Sequence, residues 1–535
     1  MTFGAGSCYE AASVRIGIDV GGTNTDAVLM DGSSVLAEVK TSTTPDTTSG
    51  IVAALRSLAD AAGLEPAGVD AVMIGTTHFT NAVVEARQLV PTAAVRLGLP
   101  ATAALPPLVD WPDRLRDAIG GHAYVCHGGH EFDGRTISPL DRDELRRVAE
   151  DVAAKGVRSI AICSVFSPIT AEAELEAAEV LAAELPDVWI SLSHELGRVG
   201  LLERENATIV NACLRELASR IVAAFGAALA ELGILAPVYL SQNDGTLMSV
   251  GFAERYPVAT FASGPTNSMR GAAFLSEETA CAVVDIGGTT ADIGILEHGF
   301  PREAAGAVSI GGVRTNFRMP DVLSLGIGGG SLVRTDGRTT VGPESVGYEL
   351  RSRALAFGGD TLTASDLAIA AGLADFGDAR LVAHVDRDVV GAGLASIETR
   401  IAEAVDRMKT SAAPIPVVLV GGGSVLLGER LPGASRLVRP AHFGVANAIG
   451  AAIAQVGGEV ERIVALAEVP RDRAIGEVSA EAAAKAVAAG AQADTVRVID
   501  VEEVALAYLP GNTTRIKVKA VGELELVRRP VAPRR

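Results

Sequence analysis

The sequence predicts an α/β protein built from two similar halves that face a shared cleft. The phrase Asp-x-Gly-Gly-Thr occurs twice, within IGIDVGGTNTD at 16–26 and within VDIGGTTAD at 284–292, each time between two strands. Glycine accounts for 58 of the 535 residues and aromatic residues for only 4%, which is typical of buried sheets joined by tight turns. Because a chain of this length is too long to fold around one ordinary hydrophobic core, two or three domains are expected.

The charge and the cysteines exclude several classes of protein. A formal net charge of −19 argues against binding nucleic acid or an anionic membrane surface, because both need basic patches. No apolar run approaches the roughly 20 residues of a membrane helix, and residues 1–13 lack the features of a secretory signal. We expect a reducing, cytoplasmic compartment, because the five cysteines form no CxxC pair. They are Cys8, Cys126, Cys163, Cys213 and Cys281.

The first half begins with three predicted strands within 14–39, followed by a helix at 49–62 whose apolar residues have helical spacing. VDAVMIG then predicts a strand that enters the turn Thr76-Thr77-His78, and the proline-rich segment 100–113 predicts a loop. The remaining elements alternate as βαβ units do. They are a helix at 141–155, a strand at 157–163, a helix at 170–184, a strand at 187–193 and a long helix at about 203–232.

The second half begins with the apolar runs PVYLS and PVATFA, and a Gly-Pro turn opens a helix near 264–276. After the second hairpin, the capping-box-like pair Thr363 and Asp366 predicts a helix at about 364–371, and another is expected at 391–408. A helix at 479–489 and short β-like runs predict a small appended α+β subdomain. The expected domains are therefore 14–195, 196–455 and 456–535.

The two Asp-x-Gly-Gly-Thr turns have the composition of phosphate-binding hairpins, although either copy alone also fits a simple tight hairpin. Glycine lets the backbone approach a phosphate, threonine adds a hydroxyl donor, and consecutive N–H groups form an anion-binding concavity. Asp19 and Asp285 repel phosphate, so we expect them to hold Mg²⁺, directly or through waters, with Asp26 and Asp292 completing the shell or orienting a water. The predicted phosphate-binding residues are Gly21, Gly22, Thr23, Asn24, Gly287, Gly288, Thr289 and Thr290.

A third glycine loop, Gly421-Gly422-Gly423, follows the apolar strand VVLV. Three glycines let a backbone lie flat against a planar group such as adenine or ribose. The order of two phosphate turns and then an adenosine loop resembles the actin/sugar-kinase/heat-shock ATPase superfamily. The resemblance implies two ribonuclease-H-like, actin-like ATPase domains with ATP in the cleft between them, to which 456–535 adds the small C-terminal extension.

Further motifs narrow the resemblance. IGTTHFTNAVVEAR at 74–87, GIGGGSLVRTDGRTTVGPESVG at 326–347, Gln242-Asn243-Asp244-Gly245 and Ser263-Gly264-Pro265 together look like the A-type subunit of the hydantoinase/oxoprolinase family. The resemblance extends from about residue 14 to 455. In that family ATP phosphorylates an amide, imide or ketone oxygen. This sequence departs from many relatives at His78-Phe79, where they have small apolar residues, and it is shorter than the long members.

Three polar or glycine-rich segments are candidates for substrate or metal binding. Thr76, Thr77 and His78 place hydroxyl and N–H groups at a helix N-terminus, which suits a carbonyl or developing oxyanion. His78 is either a general acid or substrate donor, or a buried hydrogen-bonded histidine. Residues 328–330 are expected to close over the γ-phosphate or the substrate, with a surface turn as the alternative; they are Gly328, Gly329 and Gly330. For His127–Asp133 a β-hairpin is favoured over a zinc site.

The family resemblance implies an ATP-dependent hydrolase that opens a cyclic amide such as a hydantoin or a 5-oxoproline-like lactam. It further implies a second, B-type subunit and a homo- or hetero-oligomer. An ATP-dependent ketone carboxylase subunit is the alternative, because both reactions begin with the same phosphorylation. A non-enzymatic, nucleotide-gated chaperone or regulator is a second alternative. The expected catalytic residues are Asp19, Asp285, Thr76, Thr77 and His78, and the expected Mg²⁺ ligands are Asp19, Asp285 and Asp292.

Overall fold

The structure is a computed structural model that describes residues 13–42, 47–506 and 511–526, so that Cys8 and nearly all of 1–13 lie outside the described residues. Its strands are, in chain order, β1 (Val14–Val20), β2 (Asn24–Asp31), β3 (Ser34–Ser42), β4 (Ala71–Thr76), β5 (Thr92–Leu99), β6 (His122–His127), β7 (Ser159–Ser164), β8 (Trp189–Leu192), β9 (Val238–Ser241), β10 (Thr246–Ser249), β11 (Cys281–Ile286), β12 (Ala291–Glu297), β13 (Phe300–Pro301), β14 (Val308–Ile310), β15 (Val313–Thr315), β16 (Val322–Leu325), β17 (Ser331–Arg334), β18 (Thr340–Ser345), β19 (Ile415–Val420), β20 (Ala434–Val438), β21 (Gln455–Ala465), β22 (Arg497–Ala505) and β23 (Thr513–Gly522). Its helices are α1 (Thr47–Ala62), α2 (His78–Glu85), α3 (Asp113–Ala118), α4 (Arg142–Ala154), α5 (Glu172–Glu184), α6 (Leu201–Glu231), α7 (Val250–Arg255), α8 (Ser263–Ser276), α9 (Leu350–Arg353), α10 (Ala364–Ala370), α11 (Ala379–Val382), α12 (Arg387–Met408), α13 (Ala446–Ala452) and α14 (Arg471–Ala488).

The largest sheet has nine strands in the order β22-β23-β21-β10-β9-β4-β1-β2-β3. β1 pairs antiparallel with β2 and parallel with β4, while β21 pairs parallel with β10 and antiparallel with β23. The strands of the predicted C-terminal extension therefore continue the sheet that begins at β1, and β21 satisfies backbone groups at the edge of β10. The domain boundaries near 195 and 456 stay predictions.

The sheet of the second half repeats the central arrangement of the first. Its order is β13-β12-β11-β19-β20, with β16 also paired to β12. β11 pairs antiparallel with β12 and parallel with β19, as β1 does with β2 and β4. The predicted α/β fold with two related halves is thus confirmed. A separate, wholly parallel sheet, β6-β5-β7-β8, packs against α4 and α5.

The long helix α6 joins the two sheets of the first half. Its apolar residues share one core with β1, β4 and α1. A fully buried ion pair also anchors it, because Arg96 Nε on β5 donates to Glu205 Oε2 on α6 at 2.6 Å. Such a pair holds its position firmly, since separating the charges would leave one of them buried and uncompensated.

Most predicted elements are present. The apolar run PVATFA forms a short helical turn at Pro257–Thr260, and proline is suited to the start of such a turn. The C-terminal helix begins at Arg471, before the alanine-rich stretch from which it was predicted. Its first turns contain exposed polar residues, which the alanine-rich pattern does not include. The predicted capping box of Thr363 and Asp366 is present at α10. No helix among the described residues is both long and apolar enough to cross a membrane.

Candidate functional site

Each hairpin brings two aspartates face to face across a strand pair. In β1–β2, Asp19 lies opposite Asp26, and in β11–β12, Asp285 lies opposite Asp292. Opposed residues of an antiparallel pair project on the same side of the sheet, and like charges there are unfavourable. The two hairpins therefore share the register of their strand pairing as well as their sequence. In both, the opposed carboxylates have an arrangement that a cation would stabilise.

Asp19 is buried at the end of β1 and is held by two side-chain amides. Asn447 Nδ2 donates to its Oδ2 at 2.9 Å, and Asn267 Nδ2 donates to its Oδ1 at 3.4 Å. Burial, and then the charge of Asp26, raise the pKa of Asp19 to about 6 despite these hydrogen bonds. Asp26 is itself compensated by Lys40, whose Nζ lies 2.6 Å from Asp26 Oδ1.

The second pair of aspartates is held by serine hydroxyls. Ser268 Oγ donates to Asp285 Oδ2 at 2.5 Å, and Ser324 Oγ donates to Asp292 Oδ1. Burial raises the pKa of Asp285 above its ordinary value. Burial, and secondarily the charge of Asp285, raise the pKa of Asp292 to about 6. These shifts indicate that the second pair also lacks full charge compensation within the protein.

One helix contacts both aspartate pairs. Consecutive residues of α8, Asn267 and Ser268, donate to Asp19 in the first half and to Asp285 in the second. α8 crosses α13 closely, because a Cβ at Gly450 would lie 1.9 Å from Asn267 O and one at Gly271 would lie 1.9 Å from Ala446 O. Glycine at both crossing points thus lets Asn447 on α13 and Asn267 on α8 donate to the same carboxylate, that of Asp19.

The two turns share one backbone geometry. Gly21 N donates to Asn24 O at 3.0 Å, and Gly287 N donates to Thr290 O at 2.9 Å. A Cβ at Gly22 would meet no protein atom within 4 Å, so packing within the protein does not explain that glycine. It fits the predicted close approach of a phosphate to the backbone.

The turns also contact each other and the GIGGGS loop. A Cβ at Gly288 would lie 2.9 Å from the Thr23 methyl group, and one at Gly328 would lie 2.5 Å from the carbonyl carbon of Gly288. Gly329 N and Gly330 N donate to carbonyls of the second turn at 3.0 and 2.7 Å. The loop is therefore attached to the second turn rather than being a free surface turn. Because these two N–H groups already have acceptors, their binding of a phosphate stays a prediction.

The third glycine loop lies beside the second turn, as the predicted ATP-binding order requires. β19 runs parallel to β11, with Val420 next to Asp285. Gly421 has φ +80°, and a Cβ there would lie 2.2 Å from Asp285 Oδ1. A Cβ at Gly423 would lie 2.8 Å from Gly287 O. Glycine is thus required at both positions for the loop to pack against the hairpin.

The Thr76-Thr77-His78 turn lies beside the first hairpin. β4 runs parallel to β1 with Thr76 next to Val20, and Thr77 Oγ1 donates to Val20 O at 3.3 Å. Thr76 Oγ1 and His78 Nδ1 are 2.6 Å apart, and burial lowers the pKa of His78. The lowered pKa favours the neutral imidazole of His78, which is the first residue of α2 and whose backbone N–H donates to Thr76 Oγ1 at 3.3 Å. Ser263 Oγ, at the start of α8, donates to Thr76 O at 3.2 Å.

Sequence comparison matches two family descriptions over most of this architecture. Hydantoinase/oxoprolinase N-terminal region matches residues 15–185, and Hydantoinase/oxoprolinase matches residues 204–378. The chain belongs to the hydantoinase/oxoprolinase family. Both Asp-x-Gly-Gly-Thr turns, the Thr76–His78 turn and the GIGGGS loop lie inside these ranges, whereas the 421–423 loop lies outside them.

Relatives of this family member include subunits of two kinds of enzyme. The caprolactamase subunit alpha of Pseudomonas jessenii is 29% identical over 474 residues, covering 82% of this chain and 65% of the relative. The acetophenone carboxylase gamma subunit of Aromatoleum aromaticum is 26% identical over 371 residues, covering 62% of this chain and 49% of the relative. The chain thus spans about half to two thirds of the length of these relatives.

Solved structures share the fold over nearly the whole chain. The ATP-dependent caprolactamase from Pseudomonas jessenii superimposes with a TM-score of 0.74 at 21% identity, covering 97% of this chain and 88% of that one. The nucleotide-free acetone carboxylase superimposes with a TM-score of 0.69 at 18% identity, covering 98% of this chain and 90% of that one.

The carboxylates of this family member fit a Mg²⁺ ion held partly through waters and phosphate oxygens. Across 13–42, 47–506 and 511–526, no three His, Cys, Asp or Glu side chains converge to bind a metal directly. Asp19, Asp285 and Asp292 are thus not among the direct clusters, and their role as Mg²⁺ ligands, in part through waters, stays a prediction. They remain suited to an ion that keeps several waters, and Asn267 Oδ1, buried and without a hydrogen-bond partner, adds an acceptor near Asp19.

The His127–Asp133 segment forms a turn rather than a metal site. His130 pairs as an isolated antiparallel bridge with Thr136, and Glu131 N donates to Arg135 O at 2.7 Å. His127 Nδ1 lies 3.2 Å from Glu144 Oε2 on α4. The structure thus favours the predicted β-hairpin, and the additional metal site is not among the clusters formed by the described residues.

Sequence reasoning missed the side chains that hold the aspartates. Asn267 and Ser268 follow the Ser263-Gly264-Pro265 motif after one intervening residue, and Asn447 and Lys40 belong to no recognised motif. A usable signal was present at α8, since buried polar residues in a helix need partners. That signal does not identify the partner, because Asn447 and Asp19 are 428 positions apart in sequence.

Proposed function

We propose that the chain is the ATP-binding subunit of a cytoplasmic enzyme that phosphorylates the carbonyl oxygen of a cyclic amide, such as a hydantoin or a 5-oxoproline-like lactam. One observation carries the proposal. The Thr76–His78 turn follows the strand adjacent to β1, so a carbonyl oxygen bound at that turn lies beside the first phosphate-binding turn. The relative named caprolactamase, after a cyclic amide, supports the same substrate class.

The residues of the chain have distinct roles in this proposal. The two turns bind the phosphates through backbone N–H groups, and the 421–423 loop accommodates the nucleoside. Asp19, Asp285 and Asp292 would hold Mg²⁺, which would supply positive charge beside the phosphate oxygens. Thr76, Thr77 and neutral His78 bind the substrate carbonyl and orient it toward the γ-phosphorus.

The proposed reaction balances without a redox step. The carbonyl oxygen forms a bond to the γ-phosphorus while the bond from that phosphorus to the β,γ-bridging oxygen breaks, and ADP leaves. The phosphorylated amide is a stronger electrophile than the amide, because its oxygen has become part of a leaving group. Water then adds to the activated carbon, the C–N bond of the ring opens, and phosphate is released. A B-type partner subunit is the proposed location of this hydrolytic step.

Phosphate release tests the proposal directly. Purified chain, with and without its B-type partner, is incubated with ATP, Mg²⁺ and hydantoin, 5-oxoproline or caprolactam. We expect a cyclic amide to stimulate phosphate release, a chelator of Mg²⁺ to abolish it, and His78→Gln to reduce it about 100-fold. His122→Gln, on the separate parallel sheet, is the matched control. No stimulation by any cyclic amide under either condition would contradict the proposed substrate class.

A ketone carboxylase subunit is the second candidate, favoured by the acetophenone and acetone carboxylase relatives. It shares the phosphorylation step, and it differs in requiring bicarbonate. Bicarbonate-dependent ATP hydrolysis with a ketone, and none with a cyclic amide, would select this reaction over ring opening.

A further inference from the structure

A lysine stands at the end of a row of side chains that crosses three strands of the first sheet. Asp19 on β1 lies opposite Asp26 on β2, and Asp26 in turn lies opposite Lys40 on β3. Directly opposed residues of antiparallel strands project on the same side of a sheet, so these three side chains form one continuous row. Lys40 Nζ lies 2.6 Å from Asp26 Oδ1. The row therefore consists of two carboxyl groups and one ammonium group.

The second half contains the equivalent row with a different third member. Asp285 on β11 lies opposite Asp292 on β12, and Asp292 lies opposite Ser324 on β16. Ser324 Oγ donates to Asp292 Oδ1, so in both halves the third strand supplies a partner for the second aspartate. A neutral hydroxyl is sufficient at this position of the scaffold. The positive charge of Lys40 is therefore not needed merely to hold an aspartate in place.

The charge of Lys40 acts on both halves of the molecule. Burial raises the pKa of Asp285, whereas the hydrogen bond from Ser268 and then the charge of Lys40 lower it. Within the described part of the chain, Lys40 is the only lysine or arginine that forms an ion pair with any of the four hairpin aspartates. One ammonium group thus lies within electrostatic reach of both aspartate pairs.

The side chain of Lys40 is also able to exchange partners. It is 35% exposed, whereas the side chain of Asp26 is 4% exposed. Its flexible four-carbon stem lets the ammonium group move without a change in the backbone. A lysine at about 4 Å repels a divalent cation enough to weaken its binding about tenfold or more, even at the dielectric constant of water. The same lysine attracts phosphate oxygens.

We propose that Lys40 selects the metal–nucleotide complex over the free metal ion, by opposing the binding of a divalent cation alone and favouring its binding together with ATP. This role rests on the proposed function, in which the aspartates hold Mg²⁺ beside the phosphates. Without nucleotide, the ammonium group and a divalent cation compete for the same carboxylates. With nucleotide, the triphosphate carries more negative charge than one Mg²⁺ neutralises, so Lys40 becomes a favourable neighbour.

Two binding measurements on Lys40→Met test this role, because it predicts opposite changes in them. The first titrates nucleotide-free protein with Mn²⁺, a paramagnetic substitute for Mg²⁺, and follows free Mn²⁺ by electron paramagnetic resonance. Lys40→Met should bind Mn²⁺ about tenfold more tightly than wild type. The second measures the binding of a non-hydrolysable ATP analogue with Mg²⁺ by calorimetry. Here Lys40→Met should bind about tenfold more weakly, and Lys40→Arg should retain most of the wild-type affinity.

The equivalent position in the second half provides a reciprocal variant. Ser324 is exposed, and Ser324→Lys in the Lys40→Met background moves the charge from the first row to the second. It should return the Mn²⁺ affinity toward the wild-type value. Lys155→Met removes a charge from an exposed ion pair with Asp151 and should leave both affinities unchanged. All variants are compared at one ionic strength, since salt screens these interactions, and near-ultraviolet circular dichroism confirms that each is folded.

Opposite changes in the two affinities support the selection of the metal–nucleotide complex by Lys40. Any other pattern, in protein whose wild type binds the ATP analogue, overturns it. Loss of both affinities would indicate a structural role, and equal Mn²⁺ affinities would show that Lys40 does not compete with the metal. Failure of the wild type to bind the analogue would instead contradict the proposed function, while the Mn²⁺ titration of nucleotide-free protein would still decide whether Lys40 competes.

Discussion

The two Asp-x-Gly-Gly-Thr hairpins share a backbone but hold their carboxylates differently. In the first, side-chain amides bind Asp19, and Lys40 forms an ion pair with Asp26. In the second, serine hydroxyls bind Asp285 and Asp292, and no lysine or arginine of the described ranges forms an ion pair with either. Lys40 thus compensates the first hairpin through a direct ion pair, whereas its charge lowers the pKa of Asp285 in the second hairpin without an ion pair.

The correspondence extends to the loops that follow the parallel neighbours of the hairpins. β4 leads into Thr76-Thr77-His78, and β19 leads into Gly421-Gly422-Gly423, so the two loops occupy equivalent positions in the two halves. One loop is polar and begins a helix, while the other is glycine-rich and packs flat. The duplicated scaffold therefore gives the two proposed roles, carbonyl binding and nucleoside binding, to equivalent positions.

The strongest test of equivalence replaces the leading aspartate of each hairpin. Asp19→Asn and Asp285→Asn should each reduce substrate-stimulated phosphate release by about 100- to 1,000-fold, because both carboxylates organise the charge around the phosphates. Near-ultraviolet circular dichroism should stay unchanged, and Asp143→Asn on α4 is the surface control. If only one variant loses activity, the hairpins are not functionally equivalent.

The second test removes Lys40, which forms an ion pair in the first hairpin and none in the second. Lys40→Met leaves Asp26 buried without its cation, so we expect a loss of about 2 kcal/mol in the free energy of unfolding by urea. Adding Asp26→Asn should restore most of that loss, since the uncompensated charge is then gone. Wild-type stability in the single variant would show that Lys40 does not compensate this hairpin.

The third test compares glycines of the two turns. Gly288→Ala should destabilise the protein by about 1–2 kcal/mol, because the added Cβ would lie 2.9 Å from the Thr23 side chain. Gly22→Ala should change stability by less than about 0.5 kcal/mol while weakening the binding of a fluorescent ATP analogue. Equal stability effects in the two variants would contradict the packing difference between the turns.

The smallest expected effect is a pH dependence in the second hairpin. Since folding raises the pKa of Asp292 from 3.8 to about 6, the folded protein holds a proton that the unfolded chain releases between these values. Its contribution to stability is therefore present below about pH 4 and is lost as the pH rises through about 6. Asp292→Asn should stabilise the protein by about 1 kcal/mol near pH 7.5 and by much less near pH 4. A stabilisation that is the same at both pH values would rule out titration of Asp292 as its cause.

The sequence was informative wherever the chemistry is local. Asp-x-Gly-Gly-Thr between two apolar strands specifies a hairpin through its own turn, and the capping pair Thr363 and Asp366 specifies the start of α10. The order of the glycine loops also followed from the chain, because each loop directly follows an apolar strand. Such signals depend on residues a few positions apart, and single-sequence reasoning resolves them.

What the sequence did not reveal depends on pairing over long distances. The C-terminal runs have β-forming residues, but nothing local selects β10 as the neighbour of β21. Likewise, Asn267 reaches an aspartate 248 positions away, through a helix whose polar residues alone do not specify a partner. Local propensity identifies such elements, while packing decides what they contact.

The strand order of the largest sheet also has a consequence for synthesis on the ribosome. β10 ends at Ser249, whereas its neighbour β21 begins at Gln455, about 200 residues later. At about 5–20 residues per second, roughly 10 to 40 s pass before that neighbour is made. During this time the nascent chain exposes an open strand edge beside apolar side chains, which favours association with other chains. Chaperone demand during translation should therefore be greatest over this interval and should fall once β21–β23 have emerged.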